Sequence, residues 1–434
     1  MIFNTKNIIL PEPGNIAKEH SSKLQIYIAD LIQKSPNKWI SFKDYMQAAL
    51  YTPNLGYYVA GLEKLGYAGD FITAPEISPL FGYTIANSLS LIIQENPNFN
   101  ILEFGAGSGK LAYDILSRLN TLKTLPCNYY ILDVSPDLKQ KQKNLFKQLS
   151  KNIKDKIIFL SSLPENFDGI ILANEVIDAM PVNLFEIDFT NKNNIAEIGV
   201  SLNSQVINKE QKIIFNKNQH IDSKFKDYIN NKILPNIDRQ ELKKKNITKY
   251  LIEYNYQAEL WIDTISKILN SGLIYIIDYG FNKKEYYHQD RHQGTLQCHY
   301  QHHSNSEPLW YPGLQDITTH VDFNNIAEIA FNNSCDIEAY ISQGHFLILN
   351  NIQNFINDID ISENAKLKLS QDIKKLTMPH EMGDLFKFLI ISKNLNKEYF
   401  INLDMFNKKY AYHIASQPVI TTDTSFDVSG LNDA

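Results

Sequence analysis

The segment Glu103-Phe104-Gly105-Ala106-Gly107-Ser108-Gly109 constrains the fold of this 434-residue chain more than any other. It sets three glycines at alternate positions between an apolar run, 101–104, and a helix-forming run, 111–119. Glycine reaches backbone conformations that other residues avoid, and its missing side chain lets a ligand approach the main chain. A turn of this kind fits the carboxyl end of a parallel strand, where α/β sheets bind ligands. The chain downstream agrees. Apolar runs at 129–134, 157–160 and 169–173 alternate with helical stretches. That rhythm predicts an α/β fold, a doubly wound parallel sheet with helices on both faces.

Three kinds of ligand loop compete for the glycine segment. A P-loop needs G-x-x-x-x-G-K-[ST]. Gly109-Lys110 supplies the G-K, but Phe104 stands where the first glycine belongs and Leu111 where Ser or Thr belongs. The dinucleotide fingerprint G-x-G-x-x-G fails when counted from Gly105, because Lys110 takes the last position. Counted from Gly107 it reads Gly107, Gly109, Ala112, a permitted variant, so the loop alone leaves a dinucleotide open. The fuller pattern E-x-G-x-G-x-G, with Glu103 two residues ahead of the first glycine, is the form expected of class I methyltransferases that use S-adenosylmethionine (SAM). Asp133 ends the next apolar run, 24 residues past Gly109. A carboxylate there accepts both hydroxyls of a ribose, which suits SAM and a dinucleotide equally.

The run 170–173 opens directly into Asn174-Glu175, with Asp178 three residues on. On a helical turn Glu175 and Asp178 would share one face. Two carboxylates beside a methyl donor suit a cationic nucleophile such as a guanidinium, which is planar, pairs bidentately and stays charged. They would orient it, polarise a nitrogen and receive the departing proton. The plainer alternative is a capped turn with Asp178 as a helix N-terminal acid.

Around this core the sequence divides further. Residues 1–98 read as a helical extension. Within it 26–33 has helical spacing, Ser41 is placed to cap a helix through Tyr45 and Ala49, and Ser78-Pro79 to start another. Residues 182–250 break the α/β rhythm. Their alternating runs, 182–189, 195–202 and 212–215, sit between Asn-rich turns and predict β-hairpins, an insertion serving as the substrate region. The charged run 241–245 reads as a solvated face. A helix at 257–269 and a strand at 273–278 resume the pattern, so 99–181 and 251–350 form one domain. Runs 336–341 and 344–349 are expected to close its sheet as an antiparallel pair joined at Ser342-Gln343. Residues 351–416 read as helical and 417–434 as a mobile tail.

Composition narrows the partners. A net charge of −6 gives no broad attraction to nucleic acid. Cys127, Cys298 and Cys335 lie far apart, without metal spacing or a disulfide framework, which fits a reducing compartment. No apolar stretch approaches the roughly 20 residues of a membrane span. The first residues read as neither a secretory signal nor an Arg-rich transit peptide. His288, His292, His299, His302 and His303 crowd one stretch, but no acid or cysteine framework supports a metal there, and none is expected. Glu253 is a candidate substrate contact. His320 and Asp322 are a candidate acid–base pair, with a turn-stabilising role as the ordinary alternative.

Several segments taken together resemble the MidA-type methyltransferases. They are GDFITAPEISPLFG at 69–82, EFGAGSGKL at 103–111, LDVSP at 132–136, ANEVIDAMPV at 173–182, IDYG at 277–280, QGTL at 293–296, DITTHVDF at 316–323, and MGDLFK at 382–387. The family includes a mitochondrial complex I assembly-factor arginine methyltransferase and many bacterial relatives. The resemblance implies a class I SAM-binding fold with a helical N-terminal extension and an insertion before the fifth strand. It carries cofactor roles to Gly105, Gly107, Asp133 and Asn174, and places Thr73 and Glu76 on the cofactor side. Phe104, Ala106 and Ser108 depart from the Leu, Pro and Arg more usual in the family, while the glycine spacing is kept. It also implies a protein substrate, an arginine on a respiratory-complex subunit, and, with no transit peptide read in the first residues, a cytoplasmic, bacterial member of the family. A small-molecule O- or N-methyltransferase and a SAM-binding assembly chaperone with little turnover stay open beside it.

Overall fold

Ile170-Ile171-Leu172-Ala173 and Leu273-Ile274-Tyr275-Ile276-Ile277 show no polar alternation, as befits strands buried on both faces. The computed structural model describes residues 10–60, 73–190, 194–203, 212–355 and 362–396. In it these runs lie side by side in the middle of an eight-stranded sheet. Its long strands are β1 (Asn100–Phe104), β2 (Tyr129–Leu132), β3 (Ile157–Leu160), β4 (Phe167–Asn174), β5 (Leu269–Phe281), β6 (Asp336–Ser342) and β7 (Phe386–Lys393). Their order is β6-β7-β5-β4-β1-β2-β3. Strands β1 to β5 pair in parallel, and β7 runs antiparallel to both β5 and β6. Val321–Asp322 adds a short parallel edge beside the end of β5. Helices cover both faces. Leu89, Ile115 and Phe346 pack on one side, and Ile262, Ile265 and Phe323 on the other. This is the class I methyltransferase architecture.

The chain leaves β1 outward to β2 and β3, then crosses back to β4 on the other side of β1. The loops after β1 and β4 therefore diverge and open a crevice at their carboxyl ends. The glycine segment, Asp133 and Asn174-Glu175 all follow strands that end at this crevice.

The sheet closes differently from the sequence expectation. Residues 344–349 do not pair with 336–341. Gln343–Leu349 is a helix, and β6 pairs instead with β7, placing Ile341 beside Phe388. Seven residues with a continuous apolar run at 346–349 fit a packed helix as well as a strand, and spacing cannot separate the two at that length. Packing decides. Phe346 stacks on Phe388 of β7 with ring centroids 3.9 Å apart, a geometry worth about 1 kcal/mol beyond the area it buries. Within 351–416, read as helical, Glu363–Thr377 is a helix and Phe386–Lys393 is strand β7, while 356–361 and 397–416 lie outside the described residues. The tail read at 417–434 lies outside the described residues.

The insertion does form antiparallel strands, Asn183–Asp188, Asn194–Leu202 and Ile213–Asn218. It is not self-contained. Trp39–Ser41 joins one edge, and Lys249–Tyr254 pairs with Asn183–Asp188 at the other. So a strand also interrupts the N-terminal region read as helical. Its helices Asn15–Lys34 and Phe42–Tyr51 bury Leu24, Ile28, Phe42 and Tyr45 against Leu184, Ile198 and Val200 of this sheet. Ser41 caps the second helix, accepting from the Asp44 amide at 3.1 Å. Ser78 caps Pro79–Glu95. The charged run near 241–245 is the end of a short helix, Arg239–Lys244. N-terminal region and insertion thus make one body, and it delivers Tyr51, Tyr57 and Tyr58 to the crevice.

Candidate active site

A cavity of about 940 Å³ fills the crevice. Thr73, Glu76, Glu103, Gly105, Gly107, Asp133, Asn174, Glu175 and Asp178, the nine residues singled out from sequence, all line it. A second cavity of about 700 Å³ lies at the amino ends of β1 and β4, around Phe99, Asn100, Phe167 and Asp168, away from the glycine segment.

The loop after β1 is built by left-handed glycines, with φ of 60° at Gly105, 55° at Gly107 and 87° at Gly109. A Cβ on Gly107 would meet nothing within 4 Å, so there the demand for glycine is conformational, and the space beyond is open to a ligand. The Gly105 amide donates to the Leu132 carbonyl at 3.0 Å, which ties the loop to the end of β2. Glu76 accepts from the Ser108 hydroxyl and so ties the N-terminal region to the same loop. Glu103 is buried beneath it, accepting from the Tyr129 hydroxyl at 2.9 Å. Burial pushes its carboxyl up to about 8 against that hydrogen bond, and the Asp133 charge adds to the rise.

Asp133 is 7% exposed. Its Oδ1 accepts from the Ser135 amide and its Oδ2 from the Gln142 side chain, both at 2.9 Å. Each carboxylate oxygen keeps a second lone pair for a ribose hydroxyl. The Gln142 amide also donates to the Gly107 carbonyl at 2.9 Å. One side chain therefore fixes the glycine loop and Asp133 relative to each other. Sequence reading missed Gln142. Its only signal is a polar residue sharing the buried stripe of its helix with Phe146.

Asn174 ends β4. Its Nδ2 donates to Glu175 at 3.2 Å, while its Oδ1 is buried without a partner. Glu175 has φ of 52°, a left-handed conformation that costs a non-glycine residue about 1–2 kcal/mol. No helical turn follows. Asp278 at the end of β5 holds the chain, accepting from the amides of Ile177 at 3.0 Å and Asp178 at 3.3 Å. Tyr279 donates its hydroxyl to Asp178 Oδ2 at 2.5 Å, and Asp178 Oδ1 is buried with no partner. So Glu175 and Asp178 do share a cavity, but a strained residue and a neighbouring strand bring them there.

Burial, joined by the Asp178 charge, pushes Glu175 up to about 8. Burial likewise pushes Asp178 up to about 6, with the Tyr279 hydroxyl opposing. Asp278 is raised further, by burial first and then by its two acidic neighbours. Among the described lining residues there are six acids and no Lys or Arg.

Other candidates resolve plainly. Glu253 is buried and accepts from the Thr295 amide at 2.7 Å and the Leu296 amide at 3.1 Å, so it anchors a loop and does not line the cavity. Asp322 caps the helix Phe323–Asn332. His320 packs on the Tyr279 and Phe281 rings, and no hydrogen bond joins it to Asp322. Among the described residues no cluster of His, Cys, Asp or Glu could hold a metal ion. None of their helices is long and apolar enough to cross a membrane.

Comparison with known proteins agrees with this geometry. Residues 80–341 match the profile of a family described as "Putative S-adenosyl-L-methionine-dependent methyltransferase". A Burkholderia thailandensis protein crystallised with S-adenosyl-homocysteine is similar over 89% of this chain and 96% of its own, with 33% identity and a TM-score of 0.79. The Danio rerio protein arginine methyltransferase NDUFAF7, mitochondrial, is 26% identical over 383 residues, covering 81% of this chain and 83% of its own. Its Drosophila melanogaster homolog is 26% identical over 410 residues, covering 87% of each chain. The chain therefore belongs to this family of SAM-dependent methyltransferases, and SAM is its cofactor.

Proposed function

We propose that this protein methylates an arginine of a protein substrate, and that Glu175 and Asp178 hold the guanidinium. The observation that carries the reading is the cationic complement the cavity calls for. Asp178 keeps a buried carboxylate oxygen without a partner, in a cavity whose described lining holds no Lys or Arg. A positive nucleophile satisfies both. The named activity of the NDUFAF7 relatives supports the same reading. The sequence resemblance points to a respiratory-complex subunit as the partner.

The cofactor fits the residues present. Asp133 has lone pairs for the ribose hydroxyls, the Gly107 backbone faces open space, and the unpartnered Asn174 Oδ1 awaits an ammonium or hydroxyl donor. Thr73, Glu76 and Glu103 complete that side. When bound, SAM would supply an electrophilic methyl, the N–C bond forming on arginine while the C–S bond breaks and leaves its electron pair on sulfur. Glu175 and Asp178 align the attacking nitrogen. One of them takes the proton that nitrogen loses, acting as general base. Quantitative mass spectrometry of a deletion strain tests the reading. A methylarginine present in the parent and absent in the deletion supports it, and an unchanged methylarginine profile refutes it.

The raised carboxyls set a pH dependence. In the free protein the anionic forms that grip a cation appear as pH rises through about 6 for Asp178 and about 8 for Glu175. We expect kcat/KM to climb across that range. Bound cations favour the carboxylates, so the rise in kcat should lie at lower pH. Stability of the ligand-free protein should run the other way. Glu103 and Glu175 hold their protons more tightly folded, at about 8, than at the ordinary value of 4.5. The stability this linkage contributes is present below 4.5 and is lost as pH rises through 8. Pre-steady-state rates and melting temperatures measured over this range check both slopes. A kcat/KM that falls from pH 6 to pH 8 would contradict the roles given to these acids.

A further inference from the structure

A third carboxylate reaches the cavity from outside the cofactor-binding sheet. Asp316 opens Asp316–Thr318, a strand of the small sheet formed with Gln297–Tyr300 and His303–Asn305. Its Oδ1 accepts from the Tyr58 hydroxyl at 2.7 Å. The Tyr58 ring stacks on Tyr51 at 5.5 Å between centroids. The Tyr51 hydroxyl in turn donates at 3.0 Å to the carbonyl of Ala179, the residue after Asp178. A run of contacts from the Ala179 carbonyl through Tyr51 and Tyr58 therefore links the acid turn to Asp316 around one wall of the cavity. The Asp178, Tyr51, Tyr58 and Asp316 side chains all line it. The charge of Asp316 reaches far enough to hold the Glu175 proton more tightly.

We infer that Asp316 is a specificity-determining residue, the third carboxylate of a socket shaped for a guanidinium rather than an ammonium. This rests on the arginine reading above. A guanidinium presents five N–H donors in one plane, on more edges than one carboxylate can cover. Glu175 and Asp178 come from a single turn after β4. Asp316 comes from a separate element and approaches the cation from another side. Tyr58 fixes Asp316 in place, and its ring, stacked on Tyr51, builds the wall beside it. A lysine ammonium is compact, with three donors on one nitrogen, and matches carboxylates spread over two elements less well than a planar fork does.

The test uses small cations in place of the unidentified protein. Ethylguanidinium and n-propylammonium are titrated by NMR into full-length protein saturated with S-adenosyl-homocysteine. Wild type should bind ethylguanidinium more tightly than n-propylammonium. Asp316→Asn keeps an acceptor for Tyr58 and should weaken ethylguanidinium by about 10- to 100-fold, the scale of one lost charge-assisted hydrogen bond. The n-propylammonium affinity should fall less, and S-adenosyl-homocysteine affinity and melting temperature should hold. Tyr58→Phe, which releases Asp316 without removing its charge, should narrow the preference between the two cations. If wild type binds ethylguanidinium and Asp316→Asn binds it equally well, or loses both cations equally, the role of Asp316 is overturned while the arginine reading stands. If wild type binds no ethylguanidinium, the arginine reading falls and this inference with it.

Discussion

Asp178→Asn is expected to slow methyl transfer by about 10²- to 10⁴-fold, the usual worth of a positioned general base, while SAM affinity changes by less than about threefold, under 1 kcal/mol. The substitution is nearly isosteric. Tyr279 can still donate to an amide oxygen at the place where it now meets Oδ2. The turn is held by Asp278 through the backbone amides of Ile177 and Asp178, which the change does not touch. What disappears is the negative charge and the proton acceptor. A rate near wild type, with a normal melting temperature, would mean that Asp178 is a structural acid and that the guanidinium is gripped elsewhere. Glu175 sharpens the comparison. Its strained backbone at φ 52° survives only because the surroundings impose it, and such strain concentrates where function requires it.

Asp133→Ala should cost SAM about 10²- to 10⁴-fold in affinity, read by calorimetry. The magnitude follows from losing two hydrogen bonds to a charged acceptor, each worth about 1.5–3 kcal/mol. A second effect reinforces it. The truncation strands the Ser135 amide and removes one of the two acceptors of Gln142. Gln142 holds the Gly107 carbonyl as well, so the glycine loop loosens with the acid. Asp133→Asn keeps one acceptor and should fall between wild type and Ala. Unchanged SAM affinity in Asp133→Ala would sink the assignment of the ribose site.

Much of the cofactor half could be read before the fold was known, because its signals are local. The glycine spacing, an acid closing the next strand and an apolar run opening into Asn174-Glu175 each sit within a few residues. The remainder depends on contacts distant in sequence. Asp278 reaches back 101 residues to the Ile177 amide, and Tyr58 reaches forward 258 residues to Asp316. No periodicity foretells either. The fold shows the same division. The five parallel strands announce themselves as apolar runs. The closing strand was misplaced because Gln343–Leu349 is too short for spacing to tell helix from strand, and its packing on Phe388 is a tertiary fact. Glu253 shows the converse, a buried acid whose raised carboxyl, at about 7, comes from burial in a structural joint.

The central claim is that the methyl group goes to arginine. Purified protein is incubated with methyl-labelled SAM and a lysate of the deletion strain, and the labelled products are hydrolysed and separated. Label is expected in a protein band and, after hydrolysis, in methylarginine, and is expected to be absent when Asp133→Ala replaces wild type. Label that depends on the wild-type protein but falls in a small molecule or on another amino acid would contradict the claim.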